Sequence, residues 1–175
     1  MTENRTNIQK YAMHFGTYMG IFWIFKFAIF PLGFNIPFLS LLFILLTLAV
    51  PFVGYYYTKT YRDKFCAGVI SFSHALLFTI FLYLFASMLT AVAHYVYFQY
   101  IDGGFVVQSY ENLWNQLMTT SPGLIENKEI IKEIIQTARS LTPIDITFQT
   151  LSGDVIWGCV LAIPTALVVM RKAKN

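Results

Sequence analysis

The stretch that decides the fold runs from Val69 to Tyr100, VISFSHALLFTIFLYLFASMLTAVAHYVYFQY, and contains no Asp, Glu, Lys or Arg. A transmembrane helix needs about 20 apolar residues, because the hydrocarbon core is about 30 Å thick and a helix rises about 1.5 Å per residue. As one continuous helix this run would be about 48 Å long, so it must tilt or project beyond the bilayer. The run therefore predicts a helix that crosses a membrane.

Three further stretches are long and apolar enough to do the same, at residues 11–30, 36–57 and 146–170. Over the whole chain 57% of the residues are hydrophobic and 12% are charged, whereas soluble domains carry about 25% charged residues. The composition argues against a soluble protein. We expect residues 1–175 to form a single membrane domain of the all-α class, a four-helix bundle with spans at 11–30, 36–57, 69–100 and 146–170.

The basic residues predict the orientation of these spans, since Lys and Arg near span ends are retained in the cytoplasm. Eight of the twelve lie in the N-terminal segment, between spans two and three, or after span four. The segment at 101–145 instead carries six acidic residues against three basic ones. Both termini are therefore predicted to be cytoplasmic, with residues 101–145 outside.

This outer segment contains the pattern of an amphipathic helix. Ser121-Pro122 is typical of a helix start, and the apolar residues that follow share one helical face: Leu124, Ile131, Ile134, Ile135, Ala138 and Leu141. Such a helix can lie along the headgroups or pack back on the bundle. Alternatively, its apolar face is a docking site for a partner protein.

Two charged residues fall inside predicted spans, Lys26 in the first and Asp154 in the fourth. Charges within a membrane are costly and mark functional or structural pairs. Because both residues fall in the outer half of the membrane, we hypothesise an interhelical ion pair between them. The alternatives are that each reaches interfacial water or headgroups alone, or that the two serve proton or ion movement.

Other polar and small residues in the spans have simpler interpretations. His74 and His94 would lie about 30 Å apart on one helix and cannot share a metal ion. A contact between His14 and His74 is geometrically open, but interfacial or hydrogen-bonded histidines are the expectation for all three. Gly16 and Gly20 form a GxxxG motif, which predicts close helix packing either within the bundle or between two copies.

The sequence contains no nucleotide-binding, hydrolase or metalloprotease motif. No catalytic residue, metal ligand or cofactor is therefore predicted. The aromatic residues fit the interfacial belts of membrane proteins, and we expect a lipid bilayer and no nucleic acid as partner.

Several strings resemble an uncharacterised four-span membrane protein family of Bacteroidota, domain of unknown function 4199. They are Gly16–Phe27 (GTYMGIFWIFKF), Val50–Tyr57 (VPFVGYYY), Tyr61–Asp63 (YRD), Ser71–Ala75 (SFSHA) and Thr90–Tyr95 (TAVAHY). The resemblance implies a multi-pass protein of the bacterial inner membrane. It also suggests, by association only, a glycosyltransferase-like partner and a role in envelope glycan or lipid-linked sugar metabolism.

The sequence thus favours a non-enzymatic accessory or scaffold subunit of such an envelope system. The alternative is a small transporter or flippase-like protein for a lipid-linked substrate, which would work as a homo-oligomer because four helices enclose little polar volume. The accessory interpretation ranks first because spans two and three contain few polar residues.

Overall fold

The computed structural model describes residues 2–120 and 128–171, and most of these residues are helical. The described residues form six helices: α1 (Thr2–Gly33), α2 (Pro37–Phe65), α3 (Phe72–Tyr100), α4 (Phe105–Thr120), α5 (Lys128–Ser140) and α6 (Pro143–Val169). Four of them contain segments long and apolar enough to cross a membrane: Ile8–Gly33, Pro37–Phe65, Phe72–Tyr100 and Pro143–Val169. The predicted all-α, multi-pass membrane fold is confirmed.

The segment between α3 and α6 holds two helices, of which the sequence analysis predicted only the second. The start predicted for that helix at Ser121-Pro122, and the apolar residue Leu124, lie outside the described residues. Helix α4 was missed because its first turn depends on Asp102, in a stretch that looks like an ordinary turn. The Asp102 carboxylate accepts hydrogen bonds from the backbone N–H groups of Gly104, at 3.0 Å, and Val106, at 3.1 Å, which satisfies donors at the helix start.

The chain divides into two compact units, formed by the described parts of residues 1–92 with 150–175 (unit 1) and of residues 93–149 (unit 2). Helices α3 and α6 have residues in both. In unit 2, the Arg139 guanidinium of α5 bonds the Glu111 carboxylate of α4. This ion pair ties the two helices together.

In unit 1, Gly16 and Gly20 of the GxxxG motif lie against α3. A Cβ at Gly16 would lie 2.7 Å from the Cβ of Phe85, and one at Gly20 would lie 2.9 Å from Cδ2 of Leu89. The two glycines therefore let α1 approach α3 more closely than any larger residue would allow. The motif is used for packing within the chain.

Hydrogen bonds join the α2–α3 turn and the end of α2 to the end of α6. Ala67 and Gly68 adopt positive φ values of 52° and 78°, which a right-handed helix does not use. Helix α3 begins at Phe72, three residues after the predicted span start at 69. Within the turn, Ile70 and Arg171 exchange two backbone hydrogen bonds. Arg62, which is 8% exposed, donates from Nη1 to the carbonyl of Val169 at 2.9 Å. The turn, α2 and α6 are thereby held together.

Candidate intramembrane binding cavity

A cavity of about 300 Å³ lies in unit 1, and all four apolar helices contribute to its wall. Its volume is at the lower end of the range for small-molecule sites, about 300–1,000 Å³. The lining residues are Trp23 and Lys26 of α1, Thr47 and Val50 of α2, Tyr83 of α3, and Asp154, Trp157, Gly158 and Leu161 of α6. Both charged residues predicted inside the spans thus line one cavity.

Lys26 is half-buried, and its ammonium group lies over aromatic faces. The Nζ atom is 5.7 Å from the centroid of the Trp23 ring and 5.5 Å from that of the Phe43 ring. These are cation–π distances, worth about 0.5–2 kcal/mol depending on how far the cation is desolvated. The rings attract the charge but do not accept its hydrogen bonds as a carboxylate would.

Asp154 is also half-buried, on the α6 side of the cavity. It is close enough to Lys26 for an electrostatic interaction. However, the ion pairs formed among the described residues are Arg62–Asp63, Lys132–Glu129 and Arg139–Glu111. The structure therefore brings Lys26 and Asp154 to one cavity without the direct salt bridge that we hypothesised from the sequence.

Two buried hydrogen-bonding groups belong to residues of the same wall. The indole Nε1 of Trp23 and the hydroxyl of Tyr83 have no hydrogen-bond partner, and no other buried side-chain N or O atom in the described part of the chain shares this property. The two residues are only 5% and 1% exposed, and their rings stack at 5.9 Å. A buried polar group left without a partner costs about 1–3 kcal/mol, so finding two beside one cavity is unusual.

Two glycines make room for Tyr83. A Cβ at Gly158 would lie 2.7 Å from the Cβ of Tyr83, and a Cβ at Gly54 would collide with the Tyr83 hydroxyl. The sequence analysis missed Trp23, Tyr83 and both glycines as site residues. The only available signal was a small residue inside an apolar span, and that signal does not say which side chain the glycine faces.

The three histidines lie elsewhere and are not brought together as a group. His74 Nε2 is 3.0 Å from the Tyr61 hydroxyl, and His14 contacts the ring of Tyr18 edge-on at 5.0 Å. His94 is 7% exposed and its ring is 6.5 Å from that of Phe98. Within residues 2–120 and 128–171, no three His, Cys, Asp or Glu side chains lie close enough to hold a metal ion.

The predicted docking face on α5 is divided between two environments. Ile131, Ile135 and Ala138 are half-buried, whereas Ile134 is 59% exposed. A second cavity of about 410 Å³ lies in unit 2 beside the Glu111–Arg139 pair. Its charged side chains bond one another or, as Asp102 does, cap α4. This cavity therefore has less unsatisfied bonding capacity than the one in unit 1.

A family model described as "Protein of unknown function (DUF4199)" matches residues 14–171, a range that includes every residue of the unit 1 cavity. No curated protein and no solved structure matches the chain.

Proposed function

We propose that this chain, which belongs to the family of unknown function DUF4199, binds a ligand within the membrane. The cavity of unit 1 takes up the polar group of an amphipathic ligand from the surrounding bilayer. Such binding is the first step of a transporter or a flippase-like protein for a lipid-linked substrate, working alone or as a homo-oligomer.

One observation carries the proposal: a cation and an anion that form no salt bridge with each other line one cavity between apolar helices. Ionisable residues inside a membrane are expensive and are found mainly along substrate pathways, ion pathways or in tight pairs. Lys26 and Asp154 form no direct pair, so a tight pair does not account for them. A bound polar group would compensate both charges.

This proposal reverses the order of the two functions that the sequence favoured. The transporter ranked second because α2 and α3 have few polar residues. In the structure the charged groups come instead from α1 and α6, and α3 adds Tyr83. The charged part of the cavity wall thus comes from spans one and four, whose two charged residues the sequence analysis interpreted first as an ion pair.

The test is the set of amphiphiles that the protein retains through purification. We expect wild-type protein in mild detergent to retain at least one species at near-stoichiometric amounts, and Lys26→Met and Asp154→Asn each to lose it by about tenfold or more. The matched controls are Lys132→Met and Glu129→Gln, which neutralise an exposed pair outside the cavity. Identical profiles of retained lipid in all five proteins would rule the proposal out.

A second candidate function is supported by the helices α4 and α5. They expose a set of large apolar side chains, each between 48% and 59% exposed: Tyr110, Leu113, Leu117, Ile130 and Ile134. Such a surface fits the accessory subunit of an envelope system that docks a membrane protein, a glycosyltransferase-like one by family association. A helix face laid on a partner is a common mode of recognition.

Crosslinking in native membranes tests this second function. Leu117→Ser and Ile134→Ser should abolish a specific crosslinked product, whereas Gln116→Ser and Gln136→Ser, on the same helices, should retain it. A product that survives both apolar substitutions would show that this surface does not bind the partner.

A further inference from the structure

We infer that the ligand of the unit 1 cavity is zwitterionic, with an anionic group held by Lys26 and a primary ammonium held by Asp154. This is the headgroup chemistry of an aminophospholipid, in which a phosphate and an ammonium are joined by a short linker. The inference rests on the proposed function and specifies the class of its ligand.

The charges of the cavity wall favour this class over the alternatives. A purely anionic ligand would satisfy Lys26 but leave Asp154 unpaired beside another negative charge. A purely cationic ligand would do the reverse, and a neutral polyol would compensate neither charge. An uncompensated charge away from water costs several kcal/mol, so a ligand carrying both signs is the best match.

The aromatic residues of the wall add to the match. The Trp23 ring already contacts Lys26 and Tyr83, but Trp157 also lines the cavity, and a tryptophan face attracts an ammonium group. Lys26, in the same wall, carries the positive charge with which a phosphate oxygen forms a strong hydrogen bond. The wall therefore offers complementary contacts to both ends of the headgroup.

The cavity also has a route to the lipid. Thr47 of α2 and Trp157 of α6 both line it and are themselves exposed, Trp157 by 68%. The Thr47 hydroxyl donates its hydrogen bond to the carbonyl of Phe43 at 2.8 Å, so this proton is not available to the ligand. A headgroup can occupy the cavity while its acyl chains remain in the bilayer beside these exposed residues.

The experiment measures lipid selectivity by native mass spectrometry of the full chain in detergent. Phosphatidylethanolamine, phosphatidylglycerol and diacylglycerol with identical acyl chains compete in equal amounts. We expect wild type to retain phosphatidylethanolamine over each of the others by about tenfold or more. Stronger or equal retention of phosphatidylglycerol by wild type would overturn the zwitterion assignment.

The variants provide a readout that does not depend on loss of folding. Asp154→Asn leaves Lys26 as the only charged residue of the cavity wall, so the lipid preference of this variant should invert towards phosphatidylglycerol. Lys26→Met should lose phosphatidylethanolamine without gaining phosphatidylglycerol. Lys132→Met and Glu129→Gln should keep the wild-type preference. An Asp154→Asn protein that binds lipid with unchanged selectivity would contradict the assignment.

Failure of this inference can be told apart from failure of the proposed function. If retention depends on Lys26 and Asp154 but favours phosphatidylglycerol or diacylglycerol, the cavity binds a ligand of another class. If retention does not depend on either residue, the binding function itself is wrong. Displacement by water-soluble glycerophosphoethanolamine at similar concentration would support the zwitterion and identify its source as a soluble molecule, and persistence of the lipid would identify a membrane lipid.

Discussion

Tyr83 is held between two glycines on different helices, Gly54 of α2 and Gly158 of α6. This arrangement places a large aromatic side chain, 1% exposed, at the wall of the cavity inside a helix that carries no charge. At the scale of single residues, the shape of the site therefore depends on the two glycines, which have no side chain, as well as on the tyrosine ring between them.

Gly158→Ala should destabilise the protein, because its Cβ would lie 2.7 Å from the Cβ of Tyr83 and no flexible chain end is available to move aside. Overpacking of this kind costs about 1–3 kcal/mol. The control is Gly153→Ala in the same helix, where a Cβ would meet no atom within 4 Å, and where alanine gains about 0.5–1 kcal/mol over glycine. Thermal unfolding in detergent should shift in opposite directions for the two variants, and a fall of similar size in both would contradict the packing shown here.

Tyr83→Phe tests what the unpartnered hydroxyl costs the folded protein. Removing a buried hydroxyl without a hydrogen bond should stabilise delipidated protein by about 1 kcal/mol and leave the retention of the ligand unchanged, because the hydroxyl is buried against Gly54. The exposed Tyr95→Phe should change neither quantity. If Tyr83→Phe lowers the unfolding temperature of delipidated protein, the hydroxyl has a structural role instead.

At the scale of elements, the ends of the helices are joined by bonds that involve few residues. Arg62 at the end of α2 reaches the last carbonyl of α6, and the pairing of Ile70 with Arg171 adds a second link. In the sequence, Arg62 is one of several basic residues that predict orientation. In the structure it is distinguished by its burial and by the backbone group that it bonds.

Arg62→Ala should therefore destabilise the protein by about 1.5–3 kcal/mol, the range for a hydrogen bond from a charged group. Lys64→Ala removes the same charge from the same turn but from an exposed side chain, and such surface changes stay within about 0.5 kcal/mol. Chemical unfolding of both variants in detergent measures the difference. Equal losses would show that the charge matters and the bond to Val169 does not.

At the scale of the whole molecule, the charge distribution predicts one orientation in the membrane, with residues 59–64 at the end of α2 and both termini cytoplasmic. The native thiol next to these residues is a poor reporter, because burial raises the pKa of Cys66 and leaves less of the reactive thiolate. An introduced cysteine on each side is the better probe.

In a background of Cys66→Ser and Cys159→Ser, we expect a membrane-impermeant maleimide to label Asn115→Cys in intact spheroplasts. Lys64→Cys should be labelled only after the membrane is permeabilised. Both positions are exposed in the structure, so a difference in labelling reports sidedness. The reverse pattern would overturn the predicted orientation.

The sequence by itself determined the fold class, because apolar runs of this length have only one stable environment and helices satisfy their own backbone hydrogen bonds there. It also identified Lys26 and Asp154, since a charge within such a run stands out without any neighbour being known. Helix α4 could not be predicted in the same way, because its start depends on how the Asp102 side chain turns back on the backbone. The tertiary structure alone decided that Lys26 and Asp154 share a cavity without a direct bond, and that Trp23 and Tyr83 complete its wall. These relations depend on the rotation and spacing of helices that are distant in the chain. Contacts such as those of Gly54 and Gly158 with Tyr83 contribute to that spacing, and no local sequence pattern encodes them.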